Sequence, residues 1–419
     1  MWPARWTSLP PRQPATSPSR SSSWTGVPAC MPETPREETT DALRDPLTRG
    51  DLLFCQPDRS RYLPAAALTP VPPSAAENPW RPGMVVAGAV PFDEAGPTPP
   101  ALWTAPAWRA WRRGAQEEPA EAARPRLRGV YPTRAPWEYV RAVRRAVERL
   151  SAPDGAVEKV VLAREIRATL GEEPDWAALM GRLADRNPSA TVFSVPVPGE
   201  ADPGAVFFGA SPELLLRKSG DAVLSHPLAG SVPRSADPEE DRSRANALLE
   251  SAKDAREHAF VTRMIGQALA PVCAELSVPA APSLLATDTM WHLGTRIEGR
   301  LAPEHAHRDA LSLARLLHPT PAVAGWPTRA AMSAIRRLEH ADRGLYAGAV
   351  GWVDGNGDGQ WNVSIRCALL SGLEMSAWGG AGIVAESVAE SELKETSAKL
   401  RTIVEGLGVD AEEAEHARW

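Results

Sequence analysis

Residues 354–359 read Asp-Gly-Asn-Gly-Asp-Gly, and this hexamer separates two β-branched and aromatic runs, RGLYAGAVGWV and QWNVSIRCALL. A glycine-rich break of this kind between such runs is a hairpin signal, so the last quarter of the chain is expected to be built on antiparallel sheet. Along the returning run, alternation places Trp361, Val363, Ile365, Cys367 and Leu369 on one face. Asn362, Ser364, Arg366 and Ala368 take the other, where the Arg366 guanidinium would meet a carboxylate ligand or water. Further on, Gly379, Gly380 and Gly382 allow an anion to approach the backbone closely. The helix-forming run after them carries Glu392 and Glu395 at i and i+3, on one helical face. An arginine, accessible amides and paired carboxylates point to a carboxylate ligand held partly through a divalent metal. The hexamer also imitates the start of an EF-hand loop, but Ile365 stands where the loop needs its glutamate and strands flank it, so it is read as a turn.

Before this hairpin, strands and helices are interspersed. Ordered structure is expected to begin near Asp51, and MVVAGAVPFD reads as a strand ending at Pro91. Residues 94–127, with Trp103, Trp108 and Trp111, read as strand and covering loop in which the tryptophans pack. WEYVRAVRRAVERL is a helix with Val140, Val143, Val147 and Leu150 on one side, and GAVEKVVLAREI is a strand. WAALMGRLADRNP is a helix closed by Asn187-Pro188, and TVFSVPV and AVFFGASPELLLRK are strands. AVLSHPLAGSVPR ends in a turn, one or two long helices span the run from Glu239 to Cys273, and TMWHLGTRIEGRL reads as one strand. HRDALSLARLL is a helix that stops at HPTPAVAGWP, and TRAAMSAIRRLEHADRG leads back to the hairpin. Hairpin-linked strands favour an α+β domain over a doubly wound parallel sheet.

Several residues could carry chemistry. Asp254 and Glu257 repeat the i, i+3 spacing of Glu392 and Glu395, and two acidic pairs on facing helices would cradle magnesium; the alternative is a pair of solvated helix faces. Lys159 stands alone in a β-branched strand, either as a desolvated base or as a strand-end lysine reaching water. Glu213, after a Ser-Pro turn, is a general acid or an ordinary turn carboxylate, and His292 a ligand contact or a hydrogen-bonded core residue.

The net charge of −6 and the absence of a lysine/arginine cluster exclude a general nucleic-acid binder. No apolar run is long enough to span a bilayer, and four cysteines without metal spacing fit a reducing cytosol. Residues 1–44 are rich in Pro, Ser, Thr and Arg and lack a secretory h-region. They are expected to be a disordered tail or an upstream start-codon artefact, with Met31 as initiator, and in either case dispensable. Residues 45–410 are expected to form the catalytic domain and 411–419 a tail.

The collinear set EKVVLAR, GASPELLL, HPLAGSVPR, KDAREH, MWHLGTRIEGRL, LHPTPAVAGWP, RGLYAGAVGW, SIRCALL and GAGIVAESVAESELKET resembles the chorismate-utilising enzymes. Lys159 stands where ammonia-using members carry glutamine, and LHPTPAVAGWP is similar to the isochorismate synthase form of its motif. The resemblance implies an α+β domain of two facing, mainly antiparallel sheets with helices outside and the site in the cleft. It implies a magnesium-dependent isomerase that converts chorismate to isochorismate, cytosolic and monomeric, with no glutaminase subunit. A salicylate synthase and an inactive chorismate binder are the alternatives, and the product could feed a siderophore, menaquinone or another aryl acid.

In the implied roles Lys159 activates water for attack at C2 and Glu213 protonates the departing C4 hydroxyl. Glu257 and Glu395 hold magnesium, with Asp254 and Glu392 on its waters. Arg366, Tyr346 and the amides around Gly380 and Gly382 hold the enolpyruvyl carboxylate. His292 orients the ring carboxylate, and Gly230 and Ser231 lie near the C4 hydroxyl. Leu248-Leu249-Glu250-Ser251 spells the tryptophan-sensing motif of anthranilate synthase, but far from that motif's N-terminal place.

Overall fold

A computed structural model describes residues 47–406, apart from 58, 111–126, 153–155, 200, 201, 203, 288 and 289. The expected N-terminal extension, the C-terminal tail and the packing of Trp111 lie outside the described residues.

Period-two patterning decides how the strands bury. Leu52 and Phe54 face one apolar cluster while Leu53 between them faces another, and Phe193 and Phe207 are likewise opposed to Val192 and Phe208. Such strands need cover on both faces, and the ten-stranded first sheet has it. Its order is Gly325–Trp326, Lys159–Leu170, Glu374–Ile383, Cys367–Ser371, Val206–Ser211, Thr191–Pro196, Leu52–Cys55, Ser60–Leu63 and Arg109–Ala110, with Leu127–Pro132 also pairing to Lys159–Leu170. A nine-stranded second sheet contains the expected hairpin, Ala349–Val353 against Gly359–Val363, flanked by Leu214–Ser219 and Val85–Val90. All the pairings in these sheets are antiparallel, and the main core draws residues from both.

Seven helices are described: α1 (Pro136–Leu150), α2 (Trp176–Arg186), α3 (Pro238–Glu250), α4 (Ala252–Leu269), α5 (Ala310–Leu317), α6 (Thr328–Glu339) and α7 (Ala389–Gly406). α2 and α7 bury Leu179, Leu183, Leu400 and Val404 in the cluster on the outer face of the first sheet. Ser251 ends α3 and caps α4, its Oγ accepting from the Asp254 N–H at 3.2 Å, so the Leu-Leu-Glu-Ser run is a helix junction.

Three expectations need correction. TMWHLGTRIEGRL is two strands in different sheets, Met290–Gly294 and Ile297–Leu301. The first of these joins Leu228–Pro233 and Ser283–Ala286 in a third, three-stranded sheet, so AVLSHPLAGSVPR also divides between sheets instead of ending in a turn. The alternation assigned to residues 361–369 stops at Val363. There the chain leaves the second sheet, turns through Arg366 at φ +53°, and enters the first sheet at Cys367. The segment Ser211–Leu214 makes the same crossing, and the two crossovers bind each other. Ser211 Oγ donates to Val363 O at 2.6 Å, Val363 N to Glu213 O at 3.0 Å and Ala210 N to Arg366 O at 3.0 Å.

Candidate active site

These crossovers open a cleft of about 860 Å³ between the sheets, walled further by α4, α7 and the third sheet. Eleven of the thirteen candidate site residues line it; Lys159 and Glu392 do not, but each pairs with a residue that does, Glu257 and Lys253.

Glu213 projects from the Ser211–Leu214 crossing and is fully enclosed, 3% exposed. Burial is the main reason its carboxyl is pushed up to about 7; the Leu228 N–H and the Lys159 charge work the other way without prevailing. Its Oε1 is buried without a hydrogen-bond partner. Lys159 opens its strand with no exposed surface, and its Nζ lies 2.9 Å from Glu257 Oε1. Burial would raise Glu257, but the Lys159 charge and hydrogen bond outweigh it and hold that carboxyl below its usual range. The acid candidate therefore lines the cleft from the crossover between the two sheets, while the base candidate, on the first sheet, stands behind Glu257.

The third sheet supplies the next wall. Ser231 pairs opposite His292, and Gly230 forms the irregularity between Ala229 and Ser231 at φ +79°. A side chain on Gly230 would also press on Asp254 Cβ at 2.9 Å, so glycine is required twice over. Burial, reinforced by Arg366 and Lys399, lowers His292 to about 3, which keeps its imidazole neutral. Opposite, Arg366 and Tyr346 line the cleft, and Tyr346 stacks on Trp378 with ring centroids 5.8 Å apart. The glycines 379, 380 and 382 belong to the Glu374–Ile383 strand, bonded to Lys159–Leu170. Gly382 makes room for Glu257, which an added methyl would strike, and for Lys159 Cε, which it would approach to 3.0 Å.

The four acids come from α4 and α7. Each is partnered: Glu257 by Lys159, Glu392 by Lys253 Nζ at 3.0 Å, Glu395 by Lys399 Nζ at 2.6 Å and Asp254 by Ser251 Oγ. Among the described residues no three His, Cys, Asp or Glu side chains are drawn to one metal-ligating point. The donor set nevertheless fits a hard cation. Burial and then the repulsion of Glu395 raise Glu392, whose Oε2 is buried without a partner. Burial raises Asp254 too, with Glu257 and Glu395 adding to it. Oxygen ligands left in mutual repulsion are what a divalent ion such as magnesium relieves.

Lys253 and Lys399 were not expected. Lys399 lines the cleft and donates to Gly380 O at 2.9 Å; its signal was the i, i+4 spacing from Glu395. Ala322 and Val323 of LHPTPAVAGWP also line it. They are braced by the buried Arg343, which donates to Val323 O at 2.7 Å and Val161 O at 2.8 Å while pairing with Glu339.

The family model for chorismate binding enzymes matches residues 102–408. The isochorismate synthase DhbC of Bacillus subtilis is 43% identical over 330 residues, covering 78% of this chain and 81% of its own. The isochorismate synthase EntC of Escherichia coli is 41% identical over 333 residues, with 78% and 81% covered. The crystal structure of DhbC from Bacillus anthracis superposes with a TM-score of 0.77 at 36% identity, covering 87% of this chain and 98% of that one.

Proposed function

The chain belongs to the chorismate-binding enzymes, and from that membership we propose that it is an isochorismate synthase, an isomerase acting on chorismate. The observation that carries the reading is the pairing of Lys159 with Glu213. A carboxyl pushed up to about 7 lines the cleft from the crossover between the sheets, and a fully buried amine stands behind Glu257 in its wall, an acid and a base for the two ends of one displacement.

Chorismate is held with its enolpyruvyl carboxylate against Arg366, Tyr346 and the strand at Gly380 and Gly382, and its ring carboxylate toward neutral His292. Lys399 adds a second cation to that wall. Lys159 takes the proton of the water that bonds to C2. The ring double bonds shift, the C4–oxygen bond breaks, and Glu213 gives its proton to the departing hydroxyl beside Gly230 and Ser231. Glu257 and Glu395 would hold magnesium directly, with Asp254 and Glu392 on its water shell. When bound, the ion supplies a positive charge that offsets the ring carboxylate and the four acids.

The same reading makes residues 45–410 the catalytic domain of a cytosolic monomer that works without a glutaminase subunit. No described helix is long and apolar enough to cross a membrane. Chromatography of products from chorismate and magnesium, without ammonia, tests the proposal. Isochorismate is expected; salicylate with pyruvate would place the chain among the lyases, and no turnover by folded protein would leave only binding.

A further inference from the structure

On the other side of the Tyr346–Trp378 stack lies a second cleft, of about 610 Å³, walled by α1, the Lys159–Leu170 strand, the end of α6 and Trp378. Arg164 lines it at 8% exposure. Its Nε donates to Thr396 Oγ1 at 2.8 Å and its Nη2 to Ser397 Oγ at 2.5 Å, but Nη1 is buried with no hydrogen-bond partner. The other arginines of the wall are each paired with a carboxylate. Arg343 pairs with Glu339, Arg134 with Glu138 and Glu165 with Arg167, while Asp342 accepts from Thr98. Arg164 alone of these, among the described residues, has no carboxylate. A buried guanidinium without its counter-charge is costly, and burial brings this one down to about 10. The Tyr139 ring, 6.0 Å from its Cζ, offsets a small part of that cost.

We propose that this cleft is a second binding site, for a ring-bearing monocarboxylate whose carboxylate pairs with Arg164 and whose ring lies among Tyr139, Leu338 and Trp378. The unpartnered Nη1 calls for an anionic oxygen, and the aromatic and aliphatic wall calls for an apolar ring beside it. Occupancy is transmitted to the catalytic cleft by two routes. The nitrogens of Arg164 already in use hold α7 one residue beyond Glu395 and two residues before Lys399. Trp378 lines both clefts and stacks on Tyr346. The site is independent of which chorismate product the enzyme forms.

Benzoate is the probe. Calorimetric titration into the full chain is expected to show millimolar or tighter binding that weakens at least about tenfold in Arg164→Met and in Ala142→Leu, and that persists in Arg366→Met. Ala142→Leu fills the cleft without touching its charges and carries the test should Arg164→Met not fold. In steady-state assays benzoate is expected to change turnover of the wild type non-competitively with chorismate and to leave Ala142→Leu unaffected. Binding lost in Arg366→Met but intact in both cleft variants, or no binding by folded wild type, would overturn the proposal.

Discussion

Glu213 gives the site its pH signature. Its carboxyl is raised by burial from 4.5 to about 7, so folding disfavours the ionised form. The contribution to stability is whole below about pH 4.5 and is lost as pH rises through 7, reaching up to about 3 kcal/mol. Glu213→Gln is therefore expected to melt higher than wild type at pH 8, with the gap closing toward pH 5, while kcat falls about 10²- to 10⁴-fold. Wild-type kcat/KM should decline as pH rises through 7, where the acid loses its proton. Lys159 shows a different coupling. Lys159→Met is expected to abolish turnover and, by leaving Glu257 buried without its cation, to cost about 3 kcal/mol; adding Glu257→Gln should restore stability but not activity, as denaturant melts would show. Both residues were legible as candidates because an isolated lysine in a β-branched run and a glutamate after a Ser-Pro turn invite a reason. Lys253 was not, because its meaning lies in a contact with Glu392, 139 positions away.

Helices α4 and α7 bring three acids and two further lysines to one wall, with Glu392 paired to Lys253 beside them, and the spacing along each helix was readable while their meeting was not. If they hold magnesium, adding the ion should raise the melting temperature of the wild type in proportion to RT ln(1 + [Mg]/Kd), and Glu395→Gln should suppress that rise. Gly382→Ala keeps the strand register but drives a methyl into Glu257, so kcat/KM is expected to fall at least about 100-fold. Retention of full activity by that variant would show that Glu257 can move freely. Arg366 marks where pattern reading failed. Alternation continues through residues 361–369 as a string, yet the chain changes sheets inside it, and a positive φ at a non-glycine residue leaves no trace in hydrophobic periodicity.

The two large sheets were foreseeable from their hairpins and the facing arrangement from the resemblance, whereas the third sheet was not. Its strands share continuous runs with strands of the second sheet, and breaks at Pro227 and at Thr295-Arg296 are too short to announce a change of partner. Removal of residues 1–44 is expected to leave kcat/KM for chorismate unchanged within about twofold, checked by comparing full-length and shortened protein. What the whole assembly is held to achieve is addition of a solvent water at one end of the ring with loss of hydroxyl at the other. Turnover of chorismate in oxygen-18 water, followed by mass spectrometry of the product, tests this directly. Isochorismate carrying one solvent oxygen at C2, formed by the wild type and not by Lys159→Ala, is the predicted result. Isochorismate that retains the original C4 oxygen would mean the hydroxyl migrates within the substrate, and would contradict the roles given to Lys159 and Glu213.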